Sequence, residues 1–397
     1  MLFDNKLRIF LPFLRVIPVL RGRISCNFNL MSLHNHIPAA EGEPNKPSRK
    51  KPMYPVNEKL RNYLRIHGRE VKLPVSYQDL LRFTYSLPLL DKNGKDTLWE
   101  TVLFDMRDLE FLREGLLKIY AILKTEGDLS FTKQLDVARI DYCSFGNSNP
   151  FRIRIVNKFN DNYDHYYIKI ADASRIYGLE LEHLLSPNRI TYLTQNNTLV
   201  EEHIAGIPGD VFIKHQMHQP ELNKIRLAKE FVKFNERCFV RLLGDMRSYN
   251  FVIVITPDIE DSQYRIRAID FDQQSYEGRK NLYLPQFFKE NFPYVDLSIK
   301  HLNKQTIDQY QTEERTMMAF RVAASRYRLM DLLSIMSRDK ISTSEKIKQL
   351  RTELSSFFHH PNFQKCNSMG EVVKTQLKHS LRKNLEMVKK TIGKFED

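Results

Sequence analysis

Leu242-Leu243-Gly244-Asp245-Met246-Arg247-Ser248-Tyr249-Asn250-Phe251-Val252-Ile253-Val254 is the stretch that decides the fold of this 397-residue chain. Its first half is a polar loop holding a carboxylate, Asp245, and an amide, Asn250. Its second half is an apolar, β-branched run that reads as a strand. Further on, Ile266-Arg267-Ala268-Ile269-Asp270-Phe271-Asp272 is an apolar strand that ends on two acids. Upstream, Tyr166-Tyr167-Ile168-Lys169-Ile170 places one ammonium between apolar strand neighbours. A helix over 172–185 follows, and Pro187 stops it. Thr198-Leu199-Val200-Glu201-Glu202-His203-Ile204 is another strand. Before all of these, Ser144-Phe145-Gly146-Asn147-Ser148-Asn149-Pro150 is a small polar turn between two β-rich segments, Val137–Cys143 and Phe151–Val156.

Each piece alone has a plain reading. A strand lysine between apolar neighbours is more often an edge residue pointing to water. A glycine-poor turn is more often an ordinary hairpin. Glu180 and Glu182 on the 172–185 helix are as readily solvated carboxylates. Their order is what carries information. Phosphoryl transfer asks mostly for positioning and charge neutralisation: a cation on the phosphates, carboxylate and amide oxygens on a divalent metal, and a carboxylate near the attacking hydroxyl.

The 242–254 stretch resembles the H-x-D-x-x-x-x-N catalytic loop of the protein-kinase-like superfamily. It is most similar to the His-Gly-Asp-x-x-x-x-Asn form of the aminoglycoside and choline phosphotransferase branch. One departure stands out: Leu243 occupies the position of that family's His. The resemblance covers roughly 134–335. It implies an α+β, bilobal protein-kinase-like fold with an antiparallel β N-lobe and a mainly α C-lobe. It also implies ATP and Mg2+ as cofactors, with a small-molecule or protein hydroxyl as acceptor. On its pattern Asp245 is the base and Arg247 supports the γ-phosphate. Asn250, Asp270 and Asp272 hold the metal. Ser148 and Lys169 face the nucleotide phosphates, and Glu201 (carbonyl) and His203 (amide) meet the base. A helical Glu pairs with Lys169. Glu180 shares the inward face of Ile176 and Leu184, so it is the one expected. Nothing resembles A-P-E after Asp270, which favours a small-molecule acceptor. The basic-aromatic segment 273–293, with Tyr276, Arg279, Lys280, Tyr283, Phe287, Phe288 and Lys289, suggests an acceptor carrying acidic groups. A nucleotide-binding scaffold with little turnover and an atypical protein kinase stay open as alternatives.

The rest of the chain excludes more than it proposes. Four cysteines, none in a CxxC pair, are too few and too scattered for a disulfide scaffold or zinc site, and they favour a reducing, cytoplasmic setting. His34/His36, His215/His218 and His359/His360 have no Cys or carboxylate cluster to support a metal site and read as surface histidines. Asp91-Lys92-Asn93-Gly94 lacks the acidic spacing of a calcium loop and reads as a turn. There is no Walker loop. Met317, Met318, Met330 and Met336 read as core residues.

The net charge of +13 sits at the ends. Residues 1–70 hold 13 Lys/Arg against 5 Asp/Glu, and residues 313–397 hold 17 against 10, while the middle is near neutral. That argues against a central nucleic-acid groove. Leu7–Leu20 is too short and too charged to span a bilayer, so no transmembrane segment is expected. The expected organisation is a basic leader and Pro-rich linker over 1–56, with 1–30 a possible targeting segment or false start. An accessory, mainly helical region follows over 57–130, with helices over 77–87 and 106–124. Then come the N-lobe over 131–206, the C-lobe over 207–340, and C-terminal helices over 341–397. Capping boxes at Ser342/Glu345 and Ser368/Glu371 start the last two helices.

Overall fold

The computed structural model describes residues 51–259 and 262–392. The readings of 1–50, including His34/His36 and any targeting segment, lie outside the described residues. Seven strands form one antiparallel sheet: β1 (Tyr85–Leu90), β2 (Asp96–Leu103), β3 (Leu135–Tyr142), β4 (Phe151–Asn157), β5 (Tyr163–Ile170), β6 (Tyr192–Gln195) and β7 (Thr198–Glu202). Their order is β1-β2-β3-β4-β5-β7-β6. The helix between β5 and β6, here called α4 (Ala173–Leu185), begins where expected, with Asp172 as its N-cap accepting from the Arg175 amide.

The 57–130 region contributes more strand than its sequence suggested. It opens with α1 (Glu58–Ile66), and then Tyr77–Leu80 makes only one helical turn, α2. The expected helix over 77–87 gives way to β1, because Pro88 and the Asp91–Gly94 turn suit a hairpin. The hairpin extends the main sheet through β2–β3 pairing. Helix α3 (Met106–Thr125) packs Leu112, Leu116, Ile119 and Leu123 against Ile140, Phe151, Ile153, Tyr166 and Ile168 of that sheet. Full burial of each such side chain contributes about 1.5–3 kcal/mol.

The second half is mainly helical: α5 (Gly209–His215), α6 (Lys224–Arg241), α7 (Phe292–His301), α8 (Lys304–Ala324), α9 (Arg326–Ser337), α10 (Ser344–Phe358) and α11 (Met369–Ile392). Three short strands interrupt it: β8 (Ile207–Pro208), β9 (Phe251–Pro257) and β10 (Ser262–Ala268). Pairing of Phe251 with Ala268 brings the loop before β9 and the acids after β10 to the same end of the hairpin. An antiparallel β lobe followed by a mainly α lobe is the α+β arrangement expected. The cap of α10 is shifted by one residue. Thr343 accepts from the Lys346 amide, while Ser342 donates its hydroxyl to the Tyr276 carbonyl. Ser368 caps α11 as expected, accepting from the Glu371 amide. Among the described residues, no helix is long and apolar enough to cross a membrane.

Candidate functional site

Lys169 leaves β5 on the face that also carries Glu201 of β7. Register pairs Lys169 with Leu199 and Tyr167 with Glu201, so the two charged residues are diagonal neighbours. Lys169 Nζ donates to Glu201 Oε2 at 2.8 Å, with the two side chains 10 % and 7 % exposed. The expected partner, Glu180, is elsewhere. It is fully buried and accepts from Tyr63 Oη (2.8 Å), Tyr192 Oη (2.7 Å) and Arg328 Nη2 (2.8 Å), with Arg69 Nε at 3.4 Å. Nearly every residue of α4 is buried, so its helical period did not say which inward direction Glu180 takes. Burial works to raise the Glu180 carboxyl, but Arg328 and the phenols hold it below the ordinary range.

Arg175, in the first turn of α4, ties the site together and was not anticipated. Its Nε and Nη2 grip Glu201, and its Nη1 donates to Asp270 Oδ1 at 2.9 Å and Asp272 Oδ1 at 2.8 Å. An arginine there opposes the helix dipole, which disfavours cations at an N-terminus. That misfit was the available sequence signal that carboxylates must be near. Burial alone would raise the Glu201 carboxyl, but Arg175 and Lys169 bring it down to about 2. Burial and then Arg175 push the Lys169 ammonium down. Asp270 keeps 31 % of its side chain open, yet enclosure at longer range and the charge of Asp272 push its carboxyl up.

The loop that opens the site follows α6, which ends on Leu242 in the left-handed region (φ 55°). Leu243 is fully buried and forms a bridge with Gln274. The Gly244 amide donates to the Gln273 carbonyl, the Ser275 amide to Leu242, and the Ile269 amide to Asn250. The 242–250 and 269–275 segments therefore run side by side. Asn250 Nδ2 donates to the Asp245 carbonyl at 2.7 Å and lies 3.5 Å from its Oδ2. Asp245 accepts from Arg247 Nε at 2.8 Å, and Arg247 Nη1 reaches Glu290 at 2.7 Å. Burial pushes the Asp245 carboxyl up despite Arg247.

Lys169, Glu201, Arg175, Asp270 and Asp272 form one side-chain network, and Asn250, Asp245 and Arg247 form a second; the bond from the Ile269 amide to the Asn250 carbonyl joins the segments that carry them. Glu180 stands outside both. Ser148 is 3 % exposed, its carbonyl accepts from the Ile170 amide, and its turn is folded onto β5. His203 Nδ1 lies 3.2 Å from Tyr167 Oη. The 273–293 segment is largely packed rather than displayed. Tyr276, Lys280, Tyr283 and Phe288 are buried, and Lys280 lies over the Phe357 ring of α10. The suggestion of an acidic acceptor loses most of its basis there.

Among the described residues, no three His, Cys, Asp or Glu side chains group closely enough to hold a metal by themselves. Asp270, whose side chain is 31 % exposed, and the Asn250 amide carry hard oxygens on segments bonded to each other through the Ile269 amide and the Asn250 carbonyl. Magnesium is commonly held by such oxygens together with phosphate oxygens.

No family model and no curated protein matches this chain. Among solved structures it is similar to one titled "Titin kinase and its flanking domains", at 12 % identity and a TM-score of 0.26, covering 62 % of this chain and 55 % of that one. It is also similar to the autoinhibited serine kinase domain of the giant muscle protein titin, at 11 % identity and a TM-score of 0.23, covering 57 % and 88 %. Likeness at these values says nothing of activity or substrate.

Proposed function

We propose that this chain is an ATP- and divalent-metal-dependent phosphotransferase that moves the γ-phosphate to an alcohol acceptor, with a small molecule favoured. The observation that supports it is that a strand lysine reaches a strand-end Asp through Glu201 and Arg175, while the loop bearing the Asp–Asn pair is bonded by its backbone to the segment of that same Asp. These residues are distant in sequence, and the proposed chemistry needs them together. In this reading Asp245 takes the proton of the acceptor hydroxyl as that oxygen bonds to the γ-phosphorus and the bond to the β-phosphate oxygen breaks. Lys169 offers its ammonium to the phosphates, with Glu201 as its counter-charge. Asn250 and Asp270 would hold the metal, which supplies charge neutralisation on the phosphate oxygens. Arg247 keeps the Asp245 carboxylate oriented.

A second reading, a nucleotide-binding scaffold with little turnover, is favoured by one specific observation: Arg175 already occupies oxygens of Asp270 and Asp272. Thermal unfolding with ATP and Mg2+, paired with ATP turnover of wild type and Asp245→Asn, separates the two. Ligand at a hundredfold excess over its Kd should stabilise the fold by about 2.7 kcal/mol. Loss of the base should cut turnover by about 100- to 10,000-fold while nucleotide still binds. Turnover unchanged in Asp245→Asn removes the enzymatic reading, and no stabilisation by ATP removes both.

A further inference from the structure

Arg175 is fully committed before any nucleotide arrives. A guanidinium has five N–H donors, and all five have acceptors here. Nε and one Nη2 hydrogen serve Glu201, the other Nη2 hydrogen points to the Ile269 carbonyl at 3.4 Å, and Nη1 bridges Asp270 Oδ1 and Asp272 Oδ1. The side chain is 2 % exposed. Asp270 Oδ1 also accepts from the Asp272 amide at 3.0 Å. One face of Asp270 is therefore spent, and its open oxygen is Oδ2.

Charge tells the same story. Glu201, Asp270 and Asp272 face Arg175 and Lys169, so Arg175 already neutralises part of the charge that would draw a divalent ion here. Expelling Arg175 to admit a second ion would leave the buried Asp272 without its ion-pair partner and the buried Glu201 with Lys169 alone. Resting on the phosphotransferase reading of the same site, we propose that Arg175 is a resident cation that fills one of the positions a divalent ion could take. The nucleotide would then enter with a single metal ion, held between Asp270 and Asn250.

The test counts Mn2+ bound to the full chain by the paramagnetic resonance of the free ion, with and without a non-hydrolysable ATP analogue. Wild type should take one Mn2+ with the analogue. Arg175→Gln should take two, and without nucleotide its affinity for Mn2+ should exceed that of wild type by about tenfold or more. Arg175→Lys keeps a cation that cannot span three carboxylates and should fall between. It carries the comparison if circular dichroism shows Arg175→Gln unfolded. Two Mn2+ in wild type, or equal affinities in wild type and the folded variant, overturns the proposal. Failure of the analogue to bind at all sinks the phosphotransferase reading instead, and the nucleotide-free affinities still decide whether Arg175 holds the metal position.

Discussion

Lys169 finds its counter-ion across the sheet rather than on the helix beside it. A diagonal pair on one face of adjacent strands is held by backbone register, so it survives side-chain disorder better than a contact to a separate helix. Substituting Glu201 by Gln leaves Lys169 and Arg175 buried with less compensation, and breaking such a pair costs about 3–5 kcal/mol, readable in urea unfolding at neutral pH. The sign of the pH effect follows from the depressed Glu201 carboxyl. Its stabilisation is complete above the ordinary Glu value of 4.5 and is lost as pH falls toward about 2. Glu201→Gln should flatten the stability curve across that window, and an unchanged slope would contradict the pairing. Asp245 behaves oppositely, because burial lifts its carboxyl above 3.8. The acid limb of turnover should therefore lie above the usual aspartate range. Arg247→Met removes the cation that restrains the shift and should move that limb to higher pH. The sequence pattern put Lys169 within a strand, Asp245 and Asn250 in a loop just before one and Asp270 at the end of another, and the elements fall there. It did not reveal Glu201 as an acid of consequence, since its partners come from β5 and α4, which only tertiary structure brings near.

Among the elements, α4 is the one whose packing decides the site. A Cβ added at Gly178 would lie 3.0 Å from Phe271 Cβ and 3.1 Å from Gln274 Cβ, so the helix touches the segment bearing Asp270 and Asp272 almost backbone to side chain. Gly178→Ala should cost about 1–3 kcal/mol in chemical denaturation by overpacking that contact. The strands and helices around α4 were legible from periodicity. The failures were local: 77–87 has helix-compatible spacing, yet it yields to a hairpin once Leu89 and Trp99 can pair across it. Ser342 and Thr343 compete for one cap, and the serine is drawn off by a tertiary acceptor.

For the molecule as a whole, residues 53–397 group as one compact unit, and 57–104 belong to its core rather than decorating it. Tyr63 and Arg69 serve Glu180, and β2 covers the edge of β3. A chain beginning at Asp105 should lose cooperative unfolding by circular dichroism and aggregate through its bared β3 edge; a sharp, reversible melt would show these segments to be dispensable. The distribution of fastenings along α4 has one more effect. Arg175 grips Asp270 and Asp272, Tyr177 donates to Asp339, Glu180 holds Arg328, and Glu182 pairs with Arg241. Every turn of that helix is thus moored to the α lobe, so its amide hydrogens should exchange with deuterium only when the entire protein opens. Any smaller opening of the molecule then has to arise outside α4, which stays fixed while its neighbours move.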